Sequence, residues 1–479
     1  MSAEATIPGV SASFLVLGAS RGVDDVVSVQ SASGTETVMP VENSRAKDLI
    51  DRLMPMAILA ASRGSAIVAQ FACQLVVGAL AGATGVGILQ LFTSWTCIAG
   101  EVLALGLPSR AMRQVSVAFE SKERLIVEDV LIFGRRKIIK AWLWMIFLAA
   151  PIGVALTQLQ APGNWSQYHY LIIGTWVTAP LFALMRLYTE SLKATGATLT
   201  AVTVESLTSP LVLLGVCAVC WLASLPLVAT TLAVTFGVSL VIAPIVLRLA
   251  LQKEIDDLPS VFQPYTKGVL PQMPSHVDLF HLWGAGVLSI IFVHLPFLLM
   301  PNYVDTAEIG VFSIAHKLIN VITTLLLLLA AIHGPAFARC AAIHDKAGML
   351  ALLRKTQWVS GAVFIPTAII LLLLSGPLAN LFGEEFGELD VFMLILVGGH
   401  LVNALTGLSG VLLNMAGAAS RELLTLILGL GVAVAGSLWA GPRYGAVGLA
   451  IVFSASIAIK NIASYIMARE LLHRGLDKE

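Results

Sequence analysis

Long apolar runs separated by short polar connections organise this chain. Twelve of them fall near 58–81, 86–107, 137–158, 168–190, 199–222, 226–250, 278–300, 307–333, 356–376, 389–413, 422–440 and 446–468. About 20 residues at 1.5 Å rise are enough to cross ~30 Å of hydrocarbon as a helix. The pattern predicts an all-α polytopic membrane protein of about twelve transmembrane helices. Residues 1–50 precede the first run and lack its character. Ser31-Ala-Ser-Gly-Thr-Glu-Thr37 has no period, and the short apolar stretch Phe14 to Gly18 has nothing basic before it. That stretch therefore does not read as a secretory signal. A mobile cytoplasmic tail is expected there, passing into an amphipathic lead-in over 48–56. A polar segment with Pro259, Pro264, Pro271 and Pro274 separates the sixth and seventh runs. It predicts a cytoplasmic linker over 252–276 between two six-helix lobes, 51–251 and 277–472, with 473–479 as a closing tail.

Charge orients the pattern. Of the 29 Lys and Arg residues, 26 fall on one side of the twelve-span plot and only Arg443 on the other. Loops near membrane spans keep Lys and Arg on the cytoplasmic side, so both termini are expected in the cytoplasm. The heaviest basic loop carries Arg110, Arg113, Lys122, Arg124, Arg135, Arg136, Lys137 and Lys140, whereas 376–390 carries Glu384, Glu385 and Glu388. A hydrophobic share of 57%, a charged share of 12% and a mean hydropathy of +0.87 exclude an ordinary soluble domain. A formal net charge of zero gives no sign of a nucleic-acid partner. Cys217 and Cys220 form a CxxC inside an apolar span, where they read as small packing residues. Pro151, Pro180, Pro210, Pro244, Pro296 and Pro366 lie inside spans and predict kinks.

The halves echo each other. Gly87-Ile-Leu89 matches Gly310-Val-Phe312, Leu192-Lys-Ala-Thr-Gly196 matches Leu413-Asn-Met-Ala-Gly417, and Arg248-Leu-Ala-Leu251 matches Arg469-Glu-Leu-Leu472. The offsets are 223, 221 and 221; Pro108 with Pro335 gives 227. Six spans per repeat make the repeat parallel, with its axis along the membrane normal.

Several segments carry a resemblance. Ala307-Glu-Ile-Gly-Val-Phe-Ser-Ile-Ala-His-Lys-Leu318 followed by Pro335-Ala-Phe-Ala-Arg339 resembles the eighth-span signature of the multidrug/oligosaccharidyl-lipid/polysaccharide (MOP) flippase superfamily. Leu381-Phe-Gly-Glu-Glu-Phe386 and Val411-Leu-Leu-Asn-Met-Ala-Gly417 resemble its LFG-x-x-F and LLN-x-x-G segments. Pro442-Arg-Tyr-Gly-Ala-Val-Gly-Leu-Ala450 is similar to its stretch between the last two spans. Arg63-Gly-Ser65, Gly85-Val-Gly87 and Leu105-Gly-Leu-Pro108 are similar to the start of the polysaccharide-export branch. The likeness covers roughly 55–472. It implies two six-helix lobes around a central cavity in a bacterial inner membrane. It also implies a flippase for an undecaprenyl-pyrophosphate-linked oligosaccharide, serving lipopolysaccharide or exopolysaccharide export, with a polysaccharide polymerase and other export machinery as candidate partners.

Two cations sit inside spans. Lys317 lies about a dozen residues into the eighth, and a charge that deep usually faces a cavity or a partner. The superfamily's peptidoglycan-precursor flippases have a functional arginine in an A-x-R-L setting. Ala315-His-Lys-Leu318 is the matching segment here, keeping the charge but losing the bidentate fork. Lys317 is expected to face substrate, with a structural carboxylate partner as the alternative. Lys460 in the twelfth span stands equally as substrate ligand or structural pair. Arg63 is a candidate at the inner mouth of the first span. Glu101 and Glu205 are candidates for ion coupling or for neutralising cations, with neutralisation favoured. Arg186 and Glu190, four apart, read as a local salt bridge. His294 and His400 are expected to be satisfied by neighbouring carbonyls.

No cluster with metal-ligand spacing and no Walker or dinucleotide motif appears, so neither a metal nor a cofactor is expected. The alternative function is a drug or metabolite antiporter of the same superfamily, which would need buried carboxylates in excess. An enzyme would need a sizeable outward loop carrying catalytic residues, and the longest here has about a dozen residues.

Overall fold

The computed structural model describes residues 41–158, 168–258 and 276–474. The chain divides into a short leading unit, 1–62, and a body, 63–479. Among the described residues there are twelve α-helices and no strand. The first six are α1 (Val41–Ala104), α2 (Leu107–Glu120), α3 (Arg124–Gln158), α4 (His169–Ala194), α5 (Thr198–Leu222) and α6 (Ala229–Asp256). The others are α7 (His276–Leu299), α8 (Thr306–Ala342), α9 (Lys346–Phe382), α10 (Leu389–Thr406), α11 (Ser409–Met415) and α12 (Ala419–Arg474).

Helices and spans do not correspond one to one. Within α1, the stretch 61–104 holds 44 residues, and within α12 the stretch 419–473 holds 55, each enough for two crossings. Each is broken by one glycine: Gly82 (φ 67, ψ −173) in α1 and Gly445 (φ 54, ψ −139) in α12. That backbone region is open to glycine and strained for other residues. Six further helices pass the length and hydropathy test, and α3 and α8, of 35 and 37 residues, complete twelve crossings. The protein is a multi-pass membrane protein of two six-helix lobes.

Several expectations shift. Helix α1 begins at Val41, inside the stretch read as a tail to residue 50; residues 1–40 lie outside the described residues. Helix α6 continues to Asp256, taking the first part of the expected linker, and 259–275 lie outside the described residues. The tenth span is interrupted at Gly407 (φ 66), which separates α10 from α11. Pro180, Pro210, Pro244, Pro296 and Pro366 all lie within helices that continue through them. Non-helical φ/ψ inside a described helix occurs at Gly82 and Gly445, so the abrupt bends belong to glycine.

The repeat is written into the backbone. Left-handed residues recur in matched connections: Lys122 (φ 59) with His344 (φ 54), Gly196 (φ 93) with Gly417 (φ 84), and Ser224 (φ 52) with Gly445 (φ 54). Their spacings of 222, 221 and 221 repeat the offset read from the sequence. In the first lobe α4 packs on α2, α3, α5 and α6; in the second, α10 packs on α8, α9 and α12.

The lobes meet on an axis of near symmetry. A Cβ on Gly87 would strike the Thr306 carbonyl and press on the Gly310 amide; one on Gly310 would strike the Ala83 carbonyl and press on the Gly87 amide. Ala83 and Thr306 are themselves 223 apart, so the contact is reciprocal, like an isologous dimer interface. Small residues four apart let two helix backbones touch. The largest apolar core crosses between the lobes here, joining Val77, Val86 and Leu89 to Ile309, Phe312 and Phe386. At the end carrying the basic loops, the second lobe has a core of its own around Phe337, Met349, Leu412 and Leu471.

Candidate functional site

Lys317 is where sequence and structure converge. It projects from α8 into a cavity of about 180 Å³ between the lobes. Ile67, Gln70, Phe71 and Gln74 of α1 line one wall, and Ile314, Leu318, Asn320 and Val321 join Lys317 on the other. Positions 67, 70, 71 and 74 share one helical face, as do 314, 317, 318 and 321, so each helix contributes one stripe. Among the described residues no carboxylate pairs with the Lys317 ammonium. Gln74 is nearly buried, and its side-chain oxygen has no hydrogen-bond partner among the described residues. The cavity therefore offers a cation with three donors and two glutamine amides. This donor set suits an anion with several oxygens. Asn320 on the α8 wall also lies close to His316, with its Nδ2 3.3 Å from Nδ1.

Arg63 is exposed and sits four residues before Ile67, on the same face of α1 as the cavity wall. It stands one turn, ~6 Å, toward the basic end. Lys460 has a different setting. Its ammonium lies 2.5 Å from Glu422 Oε1, at the start of α12, and the Ser464 hydroxyl donates to Glu422 Oε2 at 2.7 Å. Thr425 Oγ1 lies 2.9 Å from Ser464 Oγ and completes the cluster. The Lys460–Glu422 pair lies inside one lobe.

The acids of the first lobe form a network. Arg186 is 3.2 Å from Glu205, 3.4 Å from Glu190 and 3.9 Å from Glu101. Lys193 adds contacts of 2.8 Å to Glu190 and 3.8 Å to Glu205. The expected Arg186–Glu190 pair is one edge of this larger network, which joins α1, α4 and α5. Three carboxylates face two cations, and Glu101 and Glu205 are each in reach of Arg186. The network thus holds one carboxylate more than it has cations.

Two histidine expectations need correction. His294 Nδ1 lies 3.0 Å from the Ser94 hydroxyl across the lobe seam, so its partner is a side chain and not a carbonyl. His400 is nearly buried, and neither ring nitrogen has a partner among the described residues. Two indoles also cross the seam: Trp95 donates to the Phe297 carbonyl and, nearer the basic end, Trp283 to the Val102 carbonyl, both at 3.0 Å.

Sequence reasoning passed over Gln70, Gln74 and Glu422. The glutamines carried a signal, being polar, four apart and inside an apolar run. Glu422 carried none, because its partner is 38 residues away on another helical segment.

The twelve-crossing, two-lobed bundle is similar to that of several solved membrane transporters. An inward-facing multidrug resistance MATE family transporter of the MOP superfamily superposes with a TM-score of 0.65 at 13% identity, over 85% of this chain and 94% of that one. The lipid II flippase MurJ in an inward closed conformation gives 0.61 at 12% identity, over 86% and 87%. A MOP superfamily transporter from Pyrococcus furiosus, described as having a binding pocket of reverse polarity, gives 0.57 at 14%, over 90% and 96%. The family model described as polysaccharide biosynthesis protein matches residues 279–389, the stretch that contains Lys317. No curated protein sequence matches the chain. This chain has the MOP superfamily fold, and its seventh to ninth spans match a polysaccharide-biosynthesis family.

Proposed function

We propose that this protein is a flippase that moves a polyprenyl-pyrophosphate-linked oligosaccharide from the cytoplasmic to the outer leaflet for polysaccharide export. The observation that carries the reading is Lys317, a cation without a carboxylate partner among the described residues, facing a polar cavity between the lobes. A cation kept at membrane depth costs roughly 2.5–3.5 kcal/mol on insertion scales. An anionic substrate that pairs with it offsets that cost. The match of 279–389 to a polysaccharide-biosynthesis family supports the same substrate class. An antiporter of cationic compounds would need acids facing the cavity, whereas Glu101, Glu190 and Glu205 each lie beside Arg186 or Lys193 and none of them lines the cavity of Lys317. An undecaprenyl-pyrophosphate carrier should therefore bind the purified protein and raise its unfolding temperature, whereas undecaprenol and a lipophilic cation such as ethidium should not. Stabilisation by the cation alone would sink the proposal in favour of the antiporter.

The basic end is read as cytoplasmic, placing both termini inside an inner membrane. A cysteine at Glu384, in a background without native cysteines, should then react with an impermeant thiol reagent added to intact cells, and one at Lys122 should not. The reverse result would invert the topology.

A further inference from the structure

We propose that Glu385 is a clasp that holds the acidic end of the molecule shut, and that its release is a required step when the lobes part there. The clasp rests on reading the protein as a transporter whose lobes separate, but not on the identity of the cargo.

Three features build it. The break at Gly82 starts a new helical segment at Ala83, whose amide has no carbonyl one turn behind it. The Glu385 carboxylate accepts that amide's hydrogen at 2.7 Å, across 302 residues of sequence and from one lobe to the other. A carboxylate at a helix N-terminus also meets the positive end of the helix dipole. Glycine at 82 serves twice: its φ of 67 makes the turn, and a Cβ there would lie 2.7 Å from Glu385 Oε2.

The connection that presents Glu385 is held against the first lobe by its neighbours. Phe382 and Phe386 pack against each other at a tilt with centroids 5.1 Å apart, and Phe382 meets Phe71 edge-on at 5.7 Å. Both rings reach the surface of Gly78, where a Cβ would come within 3.0 Å of Phe382 and 3.6 Å of Phe386. Gly383 (φ 117) turns the chain between them. The glycine and phenylalanines of the LFG-x-x-F segment thus form the platform, and Glu385 occupies one of its unspecified positions. Glu384, also exposed, is the natural comparison.

The bond lies at the same end as the Gly87–Gly310 contact and crosses the same seam. A lobe separation that opens this end must break it. Two other side-chain contacts across the seam, Trp95 to the Phe297 carbonyl and Tyr168 to Thr306 at 2.8 Å, are neutral. Glu385 supplies a charge-assisted bond, about twice as strong as a neutral one. It should therefore weigh on the balance between closed and open states more than its neighbours do.

The test uses the full-length protein in nanodiscs, which removes any dependence on sidedness. Gln90, nearly buried on the seam, is replaced by cysteine in a background without native cysteines, and its reaction rate with a water-soluble maleimide is followed. Glu385→Ala should raise the rate about tenfold, the size expected for loss of one charged hydrogen bond. Glu385→Gln, whose amide oxygen still accepts the bond, should fall between the alanine variant and the parent. Glu384→Ala should match the parent. Unfolding temperature is measured alongside, and an increase in rate counts for the clasp only if Glu385→Ala melts within a degree or two of the parent. The proposal is overturned if Glu385→Ala labels at the parental rate, if Glu384→Ala raises it equally, or if the rate rises only through general loss of stability. None of these readouts involves substrate, so the clasp and the flippase reading fail separately.

Discussion

Lys317→Ala should abolish polymer export in cells while the protein remains inserted and abundant. Truncating one member of a buried charge pair costs roughly 2–5 kcal/mol, so a loss of at least about thirtyfold in transport is expected. Lys317→Arg should keep most of the function, because the guanidinium carries the same charge and binds phosphate oxygens well. The variant that separates function from structure is Lys317→Met, which preserves the stem and removes the charge. Since no described carboxylate depends on Lys317, Lys317→Met should unfold at the parental temperature or higher. A transporting Lys317→Met would end the cationic-site reading. A clear loss of stability in that variant would show that the lysine belongs to the scaffold.

Lys460 should behave in the opposite way. Glu422→Ala removes the partner of a cation whose side chain is only 16% exposed, and it also takes away the acceptor for Ser464. Breaking a buried pair from one side costs about 3–5 kcal/mol, whereas replacing both members with neutral groups of similar size is often near neutral. Glu422→Ala should therefore lower the thermal unfolding temperature in detergent by several degrees. The double variant Glu422→Gln with Lys460→Met should recover most of that loss. If Glu422→Ala leaves the unfolding temperature unmoved, the pair is not holding the lobe together. Should the double variant be stable yet unable to transport, Lys460 must have a role beyond the pair.

The contrast between these lysines marks the boundary of what sequence can reveal. Both look alike along the chain, as cations inside apolar runs, and hydropathy exposes both. What separates them is whether a carboxylate from another segment comes within reach, and that is decided by helix packing. The span pattern was legible because the bilayer demands some twenty apolar residues per crossing. Lys317 was found from the cost of burying its charge, but the glutamines opposite it lie on α1, 243 or more positions away. The break at Gly82 was hidden for another reason: its apolar neighbours carry hydropathy straight through the turn. The Arg186 network was half visible. Glu190 shares a helix with Arg186, while Glu101 and Glu205 arrive from α1 and α5.

The matched left-handed turns at 122 and 344, 196 and 417, and 224 and 445 let the two lobes be compared position by position. The two lobes keep the same corners while the residues between those corners differ. At the offset of Gly87 and Gly310, the first copy has Ser94 where the second has Lys317. At the offset of Gly196 and Gly417, it has Ser239 where the second has Lys460. Membrane-depth lysine is thus a property of one lobe and not of the frame the two share. The duplicated frame is a matched pair, whereas its interior is chemically lopsided.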